Sequence, residues 1–136
     1  KHVADIVTEF ATLPPVWCHP GDINQVLVNL VVNAAHAVGD PVHRTPQRGT
    51  ITLRTRLDGA FAVIEVEDSG GGVPPEVADR IFEPFFTTKE VGRGTGQGLA
   101  LCYTLVHDRH GGTVTFSSVA DQGTTFVVRL PVGGPP

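Results

Sequence analysis

Two asparagines, Asn29 and Asn33, interrupt the otherwise apolar stretch QVLVNLVVNAAHAV that runs from Gln25 to Val38. On a helix turning by about 100° per residue they fall on one narrow strip with Gln25 and His36. Residues four apart are neighbours on a helix surface, and carboxamides flanked by Val, Leu and Ala cost free energy unless something satisfies them. A single such Asn is explained by a solvated edge or a bond to a loop. Two stacked Asn predict a ligand or an ion. A second chemical group is Asp68, followed directly by Ser69-Gly70-Gly71-Gly72-Val73-Pro74. It continues the strand series Ala62, Ile64, Val66 and so points to the core side. A carboxylate there, ahead of glycines that let the backbone lie close to a bound molecule, predicts a pocket floor that accepts a hydrogen bond from a ligand amine. The third group is Gly94, Gly96 and Gly98, which lead into a helix whose exposed amides and dipole favour a phosphate. No Gly-Lys-Ser/Thr occurs, which excludes a P-loop, and a lid rather than a buried strand precedes the glycines, which excludes a Rossmann turn. His107 and His110 have no third ligand arranged with them and read as polar-face residues near a helix end, where a cationic imidazole is mildly favoured.

The elements that must hold these groups follow from periodicity and punctuation. The central helix spans Asp22 to Gly39, with Asp22 as N-cap, Gln25 completing a capping box, and Gly39 and Pro41 ending it. Ile23, Val26, Leu27, Leu30, Val31, Ala34 and Val38 form its apolar face. Residues 3 to 9 read as a strand or as the tail of a preceding helix, and Leu13-Pro14-Pro15 leads into a short strand at Val16-Trp17-Cys18. Asp40 to Gly49 is a surface loop. Thr50 to Asp68 is a hairpin turning at Asp58-Gly59, with Leu57 opposite Ala60, Thr55 opposite Ala62, Leu53 opposite Ile64 and Ile51 opposite Val66 on one face. Arg54, Arg56, Glu65 and Glu67 lie on the other. Pro75 to Phe82 is a short helix. Glu83 to Gly98, with Lys89, Arg93 and its glycines, reads as a mobile lid. A second helix from Leu99 to His110 turns Leu99, Cys102, Tyr103 and Val106 inward. Strands Thr113 to Ser118 and Thr124 to Leu130 close the sheet.

A chain of 136 residues forms one domain with a core that needs no staples. Cys18 and Cys102 are too few for a disulfide framework or a thiolate metal site and read as core or near-core residues in a reducing, cytoplasmic setting. A net charge of -4 leaves no basic footprint for nucleic acid. No apolar run approaches the ~20 residues of a membrane span, so no membrane contact is expected. The last residues, 131–136, read as the start of a C-terminal linker, and the chain as part of a longer protein.

Taken together, these stretches resemble the catalytic ATP-binding domain of sensor histidine kinases, within the superfamily that includes DNA gyrase, mismatch-repair and heat-shock chaperone ATPases. Five motifs carry the resemblance in the family's order: an N box at Gln25 to Ala37, a glycine box at Asp68 to Val73, an F box at Arg80 to Lys89, a second glycine box at Gly94 to Leu99 and a final GTTF at Gly123 to Phe126. The resemblance implies an α+β fold: a two-layer sandwich in which a mixed sheet of about five strands is covered on one face by about three helices. It implies ATP and Mg²⁺ as cofactors, with Asn33 as the magnesium ligand, Asn29 assisting at metal and phosphates, and His36 near the phosphates. Asp68 would accept from the adenine amine, Gly70 and Gly72 would admit the ring, and Thr124 would add a hydroxyl. Gly94, Gly96 and Gly98 would line the phosphates with Leu99 closing the box, and Lys89 and Arg93 would be lid cations. Where water-hydrolysing relatives carry a Glu, this chain has Asn29, which suits transfer to a protein acceptor. No phosphoacceptor His box occurs in the chain. The implied partners are therefore an upstream dimerisation and histidine phosphotransfer domain and, indirectly, a response regulator receiver domain. The alternatives are an ATPase or serine kinase of the same superfamily, or a nucleotide-binding scaffold without catalysis. Ser69 and Gln97 depart from the family's usual Asn and Leu.

Overall fold

The computed structural model describes residues 4–39, 49–83, 98–119 and 122–135. Its elements are β1 (Ala4–Phe10), α1 (Pro20–Gly39), β2 (Gly49–Asp58), β3 (Phe61–Asp68), a 3-10 turn (Pro75–Arg80), α2 (Gly98–Tyr103), β4 (Thr113–Val119) and β5 (Gly123–Pro131). The five strands form one sheet in the order β1-β2-β3-β5-β4, with β1 parallel to β2 and every other pair antiparallel. Helices cover one face, which gives the expected α+β two-layer arrangement.

The layer between sheet and helices follows from two periods. Alternate residues of the strands, among them Ile51, Val66, Phe126, Val128 and Leu130, turn to the helix side, and Val26, Leu30, Ala34 and Val38 come up every fourth residue of α1 to meet them. Leu30 is completely buried. On the opposite face Arg54 joins Glu9 at 2.8 Å and also Glu67, while Arg56 joins Glu65 at 3.4 Å. These pairs are solvent-washed and are worth at most about 1 kcal/mol each.

Several local expectations are corrected. The hairpin register is two residues off: Leu57 pairs with Ala62, Leu53 with Val66 and Ile51 with Asp68, so Gly59 and Ala60 make the turn. A shift of two leaves every side chain on its face, so the alternation cannot distinguish the registers. Gly59 takes φ 60, as the first turn position requires. The helix starts at Pro20 rather than at a capping box, because the His19 carbonyl accepts from the Asp22 and Ile23 amides at 3.0 and 3.2 Å. Asp22 instead binds Arg109, and Gln25 turns to Asn29. No strand forms at Val16-Trp17-Cys18; Trp17 donates one backbone bond to Val132 at 2.9 Å, and prolines at 14, 15 and 20 remove the donors that a ladder needs. The segment left open between strand and helix is β1, an edge strand whose Ile6 and Phe10 stay exposed.

The second helix does not run uniformly. α2 widens into a π-helical stretch over Thr104–Asp108. Tyr103, expected inward, is half-exposed and stacks on His107 with ring centroids 5.0 Å apart. His110, expected on a polar face, is buried: its Nε2 accepts the His19 amide at 3.0 Å and its Nδ1 lies 2.8 Å from the Leu105 carbonyl. An acceptor role for Nε2 puts the proton on Nδ1, so this imidazole joins the start of α1 to the end of the second helix as a neutral ring. The segment read as linker begins inside the fold, since Val132 also donates to the Ala60 carbonyl at 2.9 Å and Gly134 lies against Trp17. The expected surface loop from 40 to 48 and most of the lid, 84 to 97, lie outside the described residues.

Candidate functional site

The buried end of β3 is the chemical centre. Asp68 pairs across the sheet with Thr124 of β5, and Thr124 pairs in turn with Ser118 of β4. Three polar side chains therefore form one row on the helix side, where their strand neighbours are Val66, Phe126 and Phe116. Asp68 is 3% exposed and Thr124 5% exposed. The Asp68 carboxylate accepts the Gly70 amide at 2.8 Å and is also bonded by the Thr124 backbone. Burial nonetheless pushes its pKa above the ordinary carboxylate value, because those two bonds recover only part of the lost hydration. The arrangement is a desolvated acceptor held rigidly by backbone, suited to a hydrogen-bond donor on an uncharged ring.

The glycines beyond Asp68 have steric reasons of their own. A Cβ on Gly70 would stand 2.8 Å from the carbonyl carbon and oxygen of Ala37, so the segment passes directly against the last turn of α1. Gly72 has φ 81, and a Cβ there would meet the Val119 carbonyl oxygen at 2.7 Å. Close approach to protein backbone thus accounts for both glycines. It also brings the Asp68 loop to the part of α1 that carries Asn33 and His36.

Along the polar strip of α1, Asn29, Asn33 and His36 are all half-buried. Asn29 is tied on both sides: its Oδ1 accepts from Gln25 Nε2 at 2.7 Å, and its Nδ2 donates to the Gly98 carbonyl at 3.2 Å. It therefore fixes the start of α2 against α1. Beneath it Cys102 is fully buried, donates to the Val26 carbonyl at 3.7 Å, and has its thiol pushed by burial up to about 12, which makes it an inert packing group. Leu99 is half-buried and packs on the core. An added Cβ on Gly98 would meet only Asn29, at an ordinary 3.9 Å. Lys89, Arg93, Gly94 and Gly96 lie outside the described residues. The structure thus gathers Asp68, Thr124, Gly70 and Gly72 at one place, adjoining the helix turn with Asn33 and His36.

Among the described residues no three His, Cys, Asp or Glu side chains come together as a metal cluster. A neutral amide oxygen, as Asn33 offers, fits a hard cation that keeps water and phosphate oxygens as its other ligands. Sequence reasoning missed Ser118 and the role of Gln25. Ser118 was findable: it follows Val114 and Phe116 at the strand period, which puts its hydroxyl on the core side.

The pattern of the family described as "Histidine kinase-, DNA gyrase B-, and HSP90-like ATPase" matches residues 18–134. Sensor kinase CckA of Brucella abortus (strain 2308) is 44% identical over 132 residues, covering 86% of this chain and 13% of CckA. The nucleotide-free catalytic domain of histidine kinase ThkA superposes with a TM-score of 0.80 at 32% identity, covering 96% of this chain and 81% of that one. Full-length ShkA in complex with AMPPNP gives a TM-score of 0.78 at 29% identity, covering 96% of this chain and 26% of that one.

Proposed function

The chain belongs to the histidine kinase-, DNA gyrase B- and HSP90-like ATPases, and from that premise we propose that it binds Mg-ATP and delivers the γ-phosphate to a histidine on a separate dimerisation and phosphotransfer domain. The observation that carries this reading is the buried row of Asp68 and Thr124, a fixed acceptor beside a hydroxyl, set against the end of the α1 polar strip. Support comes also from the likeness to CckA, a sensor kinase, and to ShkA, which was solved with a nucleotide analogue.

In this mechanism Asp68 would accept a hydrogen bond from the adenine amine and orient the base, with the Thr124 hydroxyl beside it and Gly70 and Gly72 leaving room for the ring. Asn33 would hold magnesium through its amide oxygen, and His36 would lie near the phosphates. When bound, the metal neutralises phosphate charge, which is most of what phosphoryl transfer asks of its surroundings. Gly94, Gly96 and Gly98, with Leu99 at the helix start and Lys89 and Arg93 as cations, would hold the phosphate end. Asn29 positions Gly98 and, being a neutral amide with both ends engaged, supplies no base to activate water. That favours transfer to a protein acceptor over an ATPase; in this reading a response regulator receiver domain would take the phosphoryl group from that acceptor. No helix among the described residues is long and apolar enough to cross a membrane; the domain would work in the cytoplasm.

Calorimetric titration with ATP in the presence and absence of Mg²⁺ tests binding, and labelled ATP with and without the upstream acceptor segment in trans tests transfer. Label should appear only on the segment. Label on this chain alone, or phosphate release that does not depend on the segment, would overturn the assignment.

A further inference from the structure

The row across the end of the sheet has a third member that the nucleotide reading leaves unused. Ser118 Oγ accepts the Val73 amide at 2.6 Å and lies 3.3 Å from the Gly123 carbonyl oxygen and 3.2 Å from Thr124 Oγ1. One side chain therefore ties the glycine segment to the β4–β5 turn and to the hydroxyl of Thr124. An added Cβ on Gly72 would stand 2.9 Å from this same Oγ, so the segment rests directly on Ser118.

A hydroxyl has one proton and two lone pairs. With the Val73 amide on one lone pair, Ser118 can send its proton to the Gly123 carbonyl or to Thr124. In the first case Thr124 keeps the contact only by turning its own proton back to Ser118, and then offers a ligand nothing but lone pairs. In the second case Thr124 accepts from Ser118 and its proton is released toward a ligand acceptor. Asp68, fixed by two backbone donors, is an acceptor in either case.

We propose that Ser118 is a positioning residue of the base pocket: it holds the 70–73 segment on β4 and polarises Thr124 as a donor, so that an Asp68 acceptor and a Thr124 donor together select a ring with an amine beside a bare nitrogen. Adenine has that edge. Hypoxanthine and guanine carry a carbonyl and an N–H there instead and are refused at both atoms. This rests on the ATP reading above and extends it from affinity to base selection.

The test is titration of ATP and inosine triphosphate into the full chain, its Ser118→Ala, Thr124→Val and double variants, and Ser118→Thr. Ser118→Ala should weaken ATP about tenfold, the scale of one ordinary hydrogen bond, and weaken inosine triphosphate much less. The double variant should show the same ATP-over-inosine-triphosphate preference as Thr124→Val alone, within about twofold, since Ser118 acts on base selection through Thr124. Ser118→Thr, which keeps the hydroxyl, should restore the preference for ATP. A further loss of preference in the double variant, or equal losses for both nucleotides in Ser118→Ala, would show that Ser118 only supports the strand. Should Ser118→Ala not fold, Ser118→Cys, with its weaker donor, must fall between parent and Thr124→Val in base preference, and parent-like preference overturns the proposal. A parent that binds neither nucleotide would refute the ATP reading itself, whereas a parent that binds ATP while these variants keep its selectivity refutes only the role of Ser118.

Discussion

Replacing Asp68 with Asn separates what the carboxylate does for the nucleotide from what it costs the fold. The side chain is 3% exposed, and its pKa is raised chiefly by burial, against the Gly70 and Thr124 backbone bonds. A carboxyl whose folded pKa is raised has its charged form penalised by folding. Its contribution is neutral below the unfolded value of about 3.9, becomes a cost as pH rises from there through the folded value, and is constant above it. The amide carries no such penalty. The stability of the parent relative to Asp68→Asn should therefore fall as pH rises from about 4 through the raised folded value, then level off. Binding should move the other way, because the variant loses a charge-assisted bond to the adenine amine, worth about 1.5–3 kcal/mol, or roughly 10- to 150-fold in affinity at pH 7. Urea unfolding of both proteins across pH and calorimetric titration with Mg-ATP measure the two effects. A stability difference that stays flat across this range would mean that the carboxylate is not desolvated. Unchanged affinity would mean that it does not read the base.

Three further outcomes follow from contacts already described. Asn33→Ala should fold normally and lose the gain in ATP affinity that Mg²⁺ confers, measured by titration with and without the metal. Gly70→Ala should destabilise the domain by about 1–3 kcal/mol in chemical unfolding, because a Cβ 2.8 Å from the Ala37 backbone must push the loop off α1. Asp22, held below the usual carboxylate range mainly by its bond to Arg109, contributes stability that is present above about pH 3.9 and lost as pH falls through its lower folded value. Asp22→Asn should remove that part of the acid dependence, read as a shallower loss of melting temperature below pH 4.

Much of the fold was legible because its elements carry strong periods. The every-fourth-residue burial of Val26, Leu30, Ala34 and Val38, and the alternation from Ala62 to Asp68, are imposed by helix and strand geometry on any chain that buries one face. Asp68 was legible for the same reason, as a charge at a core parity. What escaped detection depends on strand register or on contacts between distant segments. The hairpin slid by two because the face pattern repeats every two residues. His110 is buried because the His19 amide meets it from the other end of the sequence, and no local pattern encodes that meeting. Asn29 was legible as a buried amide needing a partner, while its partner, the Gly98 carbonyl, is fixed only once α2 packs on α1.

The order of strands bears on how the chain reaches this state. β5, the last strand in sequence, lies between β3 and β4. Until it is in place, β4 has no strand partner and β3 presents a bare edge of amides and carbonyls. On a ribosome α1 and the β1–β2–β3 part of the sheet can form from residues already made, and β5 with its hairpin partner β4 then joins at the bare edge of β3. A sheet built in that order pays its loop-closure entropy late and folds slowly for its length. Its vulnerable species is the nascent chain that has made β4 but not β5, which any protein reaching for an open strand edge, chaperone or neighbour, would meet first.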